Sequence, residues 1–206
     1  MRRKVTMPRL PDAELEKRIV SAAIRLLDRG GEAAITLRAV AKEAGTSTPT
    51  IYERFSDRDG LMKKLVDQAT EDLLEILQPK TTVEAMFRIY LRHSCDYPLR
   101  AGLMVETFGN RYVARDKMPA FELLQTRIAE ELGIKGRKCE DLALAIASLA
   151  FGTAQGMIAA GGDSPHAAQF QWTALQALRM LLRTFSRKKK ARARAHTARA
   201  KMSHAS

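Results

Sequence analysis

The residues best suited to chemistry lie between Thr36 and Phe55, where the chain reads TLRAVAKEAGTSTPTIYERF. Thr46, Ser47, Thr48 and Thr50 bring short hydroxyls together, with Tyr52 and Arg54 just beyond and Thr36 and Arg38 ten residues before. Small hydroxyl side chains at a helix N-terminus let the helix sit deep in a DNA groove, where they can donate to phosphates or base edges. Backbone N–H groups at such an end, aided by the helix dipole, also favour an anion. Pro49 removes one of those donors. This is the chemistry of binding. For catalysis the chain offers little: only His93 and His166 precede the last twenty residues, no glycine-rich phosphate loop follows a strand, and no carboxylate pair stands out. The expectation is a protein that is not an enzyme and uses no cofactor or metal. His93 and Cys95 sit two apart and, on a helix, point in different directions. Cys95 and Cys139 are too few for a disulfide scaffold.

A row of hydroxyls needs a scaffold that presents it, and the flanking pattern supplies one. Leu15, Ile19, Ala22, Ala23, Leu26 and Leu27 form an apolar stripe along a first helix, with Asp12 as its cap and Gly30-Gly31 as its end. Thr36 caps a short second helix carrying Leu37, Val40, Ala41 and Ala44 on one face. Gly45 stops it, because glycine tolerates the left-handed conformation there. A third short helix starts near Thr48-Pro49 and turns Ile51 and Phe55 inward. Two short helices, a sharp turn, a small residue at their crossing (Ala41) and an apolar lock (Val40, Ile51, Phe55) are what a helix-turn-helix requires. Ser56 with Asp59 resembles a capping box opening a fourth helix, which carries Leu61, Leu65, Leu73 and Leu77 and ends before Pro79.

Beyond Pro79 the pattern stays helical. Met86, Phe87, Tyr90 and Leu91 share a face within Val83–Ser94, and Pro98, Gly109 and Pro119 punctuate a less regular middle. Phe121, Leu124, Ile128 and Leu132 make the next stripe, ended by Gly133. Leu142 to Gly162 is an uncharged run of 21 residues containing Gly152 and Gly156. Its length could span a bilayer, but Ser148, Thr153, Gln155 and many alanines dilute it, which suits a helix buried in protein. No membrane partner is expected. Ser164-Pro165 starts a last helix bearing Leu175, Leu178, Leu182 and Phe185. The fold expected is all-α, with about nine helices: a helix-turn-helix domain over 12–60, a helical ligand-sensing and dimerisation domain over 61–186, and a basic tail over 187–206 without structure of its own.

Composition agrees. Hydrophobic residues make up 46% of the 206 and aromatics only 6%, a balance that favours helices with a sizeable core over a β-sandwich. The net charge of +12 is uneven. Residues 187–206 carry eight bases and no acid, residues 1–60 twelve bases against nine acids, and residues 61–186 fifteen against fourteen. The basic excess therefore says little about the folded part. No apolar run follows the basic residues near Met1, so no secretory signal is read, and a cytoplasmic protein with reduced thiols is expected.

At TLRAVAKEAG, TIYERF and SDRDGLM the chain resembles the TetR family of regulators, whose usual order is T-x-x-x-I-A-x-x-A-G, T-[LI]-Y-x-x-F and x-x-K-x-x-L. The resemblance covers about residues 13–65. It implies that Thr36 contacts phosphate, that Thr46 to Thr50 and Tyr52 face the groove, and that Arg58 grips the DNA backbone. The family often has a basic residue or His before the Phe, where Arg54 stands. Thr46 replaces a usual aliphatic residue, and Pro49 a usual glycine or small one. The resemblance further implies a homodimer on a palindromic double-stranded operator and a small-molecule effector of unknown identity. Phe87, Tyr90, Met104, Phe108, Phe121, Phe151, Gln155 and Trp172 are candidates to line its pocket. The function expected is sequence-specific transcriptional regulation, as a repressor released by its effector. The alternative is a protein that coats nucleic acid unspecifically through its basic tail.

Overall fold

Nine α-helices and one short 3-10 turn, with no strand among the described residues, make up the computed structural model of the protein. The structure describes residues 12–77 and 82–203, with side chains over 13–77 and 82–186. Contacts divide the chain after Glu71 into two compact units. That division falls inside a helix and beyond residue 60, where the sequence suggests the boundary.

The first unit holds α1 (Asp12–Gly30), a 3-10 turn (Glu32–Ala34), α2 (Leu37–Ala44), α3 (Thr48–Phe55) and most of α4 (Arg58–Ile76). Its helices start and stop where local chemistry tells them to. Thr36 Oγ1 accepts the Ala39 amide at 3.1 Å and caps α2. At the other end Gly45 is left-handed, at φ 63° and ψ 40°. Its N–H bonds to Lys42 O and the Thr46 N–H to Ala41 O, the pairing that lets a helix end without orphaned carbonyls. Asp12, expected as the cap of α1, is instead its first residue, and its side chain is not among those described. Ile19, Ala22, Ala23, Leu27, Val40, Ala41, Ile51, Phe55, Leu61 and Leu65 are buried and form the core of this unit.

The entry to α4 departs from expectation. Asp57, not Ser56, caps it: Asp57 Oδ1 accepts the Gly60 amide at 2.8 Å, while Ser56 closes α3 in a positive-φ conformation. Asp59 lies within the first turn of α4. Gly60 is required by packing, because a Cβ there would lie 2.1 Å from the carbonyl oxygen of Phe55.

The second unit contains the end of α4 and α5 (Val83–Asp96), α6 (Pro98–Val113), α7 (Pro119–Leu132), α8 (Arg137–Ala159) and α9 (Pro165–Ser203). Proline opens α6, α7 and α9, where a missing N–H costs nothing. The middle that seemed irregular in sequence is the regular helix α6, and Gly109 sits exposed within it. Glycine inside a helix weakens it by only about 1 kcal/mol, which the packing of its neighbours on α5 and α8 outweighs. One face of α8, from Cys139 through Ile146 and Ala150 to Met157, is buried in the core beside Phe87, Leu91, Ile128 and Leu178. The helix is long and apolar enough to cross a membrane by length and composition, yet its buried face is explained by this core. The backbone of α9 runs on to Ser203, through the segment expected to lack structure. Alanine, lysine and arginine are strong helix formers, and continuing an existing helix avoids the cost of nucleating one.

Candidate nucleic-acid interface

The α2–α3 pair is locked as a helix-turn-helix must be. Val40 and Ile51 are fully buried, Ala41 and Phe55 nearly so, and Ala44 completes the crossing. The opposite face is open. Arg38, Ser47, Pro49 and Tyr52 are exposed, Thr46, Thr48 and Thr50 are half-buried, and Thr36 is exposed at the start of α2. Tyr52 keeps 54% of its surface exposed, so its ring is presented to solvent and does not pack between helices.

Three of the hydroxyls, those of Thr36, Ser47 and Thr50, have local roles that leave chemistry to spare. Thr36 Oγ1 spends a lone pair on the Ala39 amide and retains its proton for an outside acceptor. Ser47 Oγ caps α3 by accepting the Thr50 amide at 3.3 Å and lies 2.8 Å from Thr50 Oγ1. Of the first three amides of α3, Pro49 has none and that of Thr50 is engaged, which leaves the Thr48 N–H for an anion. The anion-binding end inferred from sequence is thus reduced, and side-chain hydroxyls carry most of the remaining donor capacity.

Arg58, which the resemblance assigns to the DNA backbone, makes bonds inside the domain while part of its side chain stays exposed. Its Nε donates to Ile35 O at 3.1 Å, and Nη2 donates to Glu32 O at 3.2 Å and to Glu32 Oε1 at 2.9 Å. These bonds tie the start of α4 to the segment leading into α2, so Arg58 positions Thr36 from within the domain. Arg54 is half-buried. Sequence reasoning missed two further braces. Glu43 on α2 pairs with Arg25 and Arg29 of α1 at 3.0 and 2.8 Å, and hydrogen bonds from those two guanidiniums hold its carboxyl below the ordinary value. Arg18 Nη2 reaches Gly45 O at 3.5 Å. Spacings of 18 and 27 residues carry no local signature.

In the second unit, six of the eight pocket candidates come together. Phe87, Tyr90, Met104, Phe108, Phe121 and Phe151 belong to one core. Phe108 is edge-on to Phe151 at 4.9 Å and to Phe121 at 5.6 Å, and Tyr90 lies 5.7 Å from Phe151. Burial pushes the Tyr90 phenol up to about 12. Gln155 and Trp172 do not join them. Both are exposed, Trp172 by 61%, on the outer faces of α8 and α9. Beside the cluster opens a pocket of about 480 Å³, whose lining includes Tyr112, Met118, Phe121 and Glu140. Tyr112 donates its hydroxyl to Glu140 Oε1 at 2.8 Å, a bond that raises the phenol above its ordinary pKa. Of that lining only Phe121 was expected; Tyr112 and Glu140 lie 28 residues apart and nothing local links them.

Comparison with known proteins agrees with this geometry. Residues 19–65 match the family model of bacterial regulatory proteins, tetR family. An uncharacterised HTH-type transcriptional regulator of Bacillus subtilis (strain 168), YvkB, is 36% identical over 62 residues, 30% of this chain and 33% of that protein. The match thus spans about a third of that relative's length. Among solved structures, the transcriptional regulator SCO7222, a TetR from Streptomyces coelicolor, aligns with a TM-score of 0.67 at 20% identity, covering 83% of this chain and 97% of that one. A point variant of TetR from Acinetobacter baumannii AYE, in complex with minocycline, aligns at 0.64 and 17%, covering 87% and 98%. Identities this low establish the fold alone.

Proposed function

We infer that this chain, whose residues 19–65 are a helix-turn-helix domain of the tetR family, is a sequence-specific DNA-binding transcriptional regulator, a repressor released by a small-molecule effector. The observation that carries the reading is the open hydroxyl face of α3 on a helix pair locked from behind by Val40, Ile51 and Phe55. In this reading Thr48, Thr50 and Tyr52 enter the major groove, while Thr36, Arg38, Thr46 and Ser47 meet the flanking phosphates. Pro49 sits at the tip of α3, and Arg54 and Arg58 support the face from within.

The chain acts as a homodimer that presents two copies of α3 to a palindromic operator, one DNA turn or a multiple of it apart. The outer faces of α8 and α9 support that arrangement. Ala145, Ser148, Gly152 and Gln155 are exposed along α8 at helical spacing, and Trp172 and Met180 stand exposed on α9. Small residues permit close approach of two helices, and large apolar ones pack across the seam. Gln155 and Trp172 then serve the dimer, not the pocket. The minocycline held by a structural neighbour supports an effector bound in the second unit. By mass action, an effector that prefers one state lowers operator affinity only as far as its affinities for the two states differ. Such a protein works at the chromosome, in the cytoplasm.

The test is binding to DNA from upstream of the chain's own gene, with scrambled DNA as control and salt as a variable. The full chain should select its operator at moderate salt, and a chain ending at Ser186 should keep that selectivity. Equal binding to both DNAs that vanishes with residues 187–206 would overturn the reading in favour of unspecific coating.

A further inference from the structure

The outward face of α3 holds one group that the regulatory reading leaves without a role, the carboxylate of Glu53. At about 100° per residue, Glu53 stands about 160° round the helix from both Ile51 and Phe55, the two residues of α3 that lock it from behind. It therefore occupies the middle of the face turned to solvent, and it is exposed. Pro49 and Thr50, four and three positions earlier, flank it on the same face. Both are short, so the longer Glu53 side chain projects beyond them. Its carboxylate makes no ion pair or hydrogen bond among the described residues.

We propose that Glu53 is a specificity-determining residue, which accepts the N4 amino group of a cytosine on the floor of the major groove and so fixes a C·G pair in each operator half-site. The proposal rests on the regulatory reading above, in which the same face of α3 enters that groove.

Charge and hydrogen bonding together lead to cytosine. A carboxylate brought to DNA is repelled by every phosphate, so it adds nothing as a backbone contact. In the groove it loses water, and only a hydrogen-bond donor offsets that loss. An ionised carboxylate only accepts, which restricts its partners to the amino groups of cytosine and adenine. Guanine shows O6 and N7, both acceptors, and thymine shows O4 beside a methyl. Adenine sets its N6 amino group next to the N7 acceptor, which repels the second carboxylate oxygen. Cytosine shows its amino group with no acceptor of its own beside it. The selection works largely by exclusion, since three of the four bases oppose the charge that the fourth accommodates.

The experiment is selection of binding sites from a random duplex library, with the full-length protein and with Glu53→Gln. Wild type should enrich a cytosine at one position of each half-site. Glutamine pairs with adenine N6 and N7, so the variant should exchange that cytosine for adenine and keep every other position. Replacing the cytosine by thymine should weaken wild-type binding at least about fivefold, the lower end of what one wrong pair costs, and weaken Glu53→Gln less. Glu14→Gln, the same loss of charge at an exposed position of α1, should leave the preference unmoved. Thermal melts of both variants verify the fold. Identical preferences in wild type and Glu53→Gln overturn the proposal. So does a variant that binds all DNA more tightly with its preference unchanged, because the carboxylate then only repels phosphate. A preference lost at a pair other than C·G overturns the assignment to cytosine. A wild type that enriches no sequence overturns the regulatory reading itself, and this proposal with it.

Discussion

The two units of this chain solve the problem of presenting side chains in opposite ways. The first is built from short helices whose ends are fixed locally, by Thr36, Gly45, Ser47 and Asp57, and its candidate residues point outward from a small core. The second is built from long helices with few side-chain caps, and its candidate residues meet inside, as the ring cluster of Tyr90, Phe108, Phe121 and Phe151. An outward face needs only a rigid backing, so an exposed residue that caps no helix can change without disturbing the rest. An inward cluster couples every member to its neighbours, so binding there shifts packing. That difference suits the first unit to reading a fixed surface and the second to sensing.

Changes in the first unit should therefore separate stability from recognition. The largest effect is expected from Ile51→Ala, which empties a fully buried position and should cost about 2–5 kcal/mol. A thermal scan by circular dichroism should show helix loss from the first unit below the melting of the second. A single transition displaced as a whole would show that the units do not melt apart, and the contrast would fail. Gly60→Ala comes next. Its Cβ would collide with the Phe55 carbonyl, and overpacking of this kind costs about 1–3 kcal/mol. Urea unfolding should register it, and no side-chain repacking can relieve it, because the obstacle is backbone.

Thr36→Ala sharpens the comparison further. Loss of the cap should cost about 1 kcal/mol, and loss of the hydroxyl should weaken operator binding beyond what the stability change explains. Thr36→Ser should restore both, since it keeps cap and donor. If the serine variant binds DNA no better than the alanine one, the hydroxyl does not reach phosphate. The smallest effect belongs to the second unit. Glu84 on α5 accepts from Arg179 of α9 at 2.6 Å and from Arg88, and the Arg179 hydrogen bond first, then that of Arg88, lower its carboxyl from 4.5 to about 2. A depressed folded pKa contributes stability above pH 4.5 that fades as pH falls towards 2. Wild type and Glu84→Gln should differ in melting temperature at pH 6 and converge near pH 2. A constant gap across that range would assign the difference to packing alone.

Much of this was readable in the chain, and the reason is locality. The α1 stripe from Leu15 to Leu27, the Gly45 stop, the Ser164-Pro165 start and the Val40–Ile51–Phe55 lock each depend on residues within a few positions of one another, or on one helical period. In the row from Thr46 to Tyr52, Ser47, Pro49 and Tyr52 are exposed, Thr46, Thr48 and Thr50 half-buried, and Ile51 turns inward as its spacing implies. The errors share the converse property. Ser56 and Asp57 are both sound caps, and only the path of the chain past Phe55 selects the second. Gly109 looked like a break because glycine weakens a helix by itself, whereas α6 is held by its neighbours.

The amino-acid order alone thus determined an all-α chain, the helix-turn-helix and the face it presents, because periodicity, caps and turns are properties of consecutive residues. Tertiary structure alone decided that Arg58 is spent on Glu32 and Ile35 and that Gln155 and Trp172 face outward while Tyr112 and Glu140 share a pocket. Those outcomes depend on which distant residues meet. A guanidinium or a ring suits many partners, and only the packing of helices against one another settles which it has.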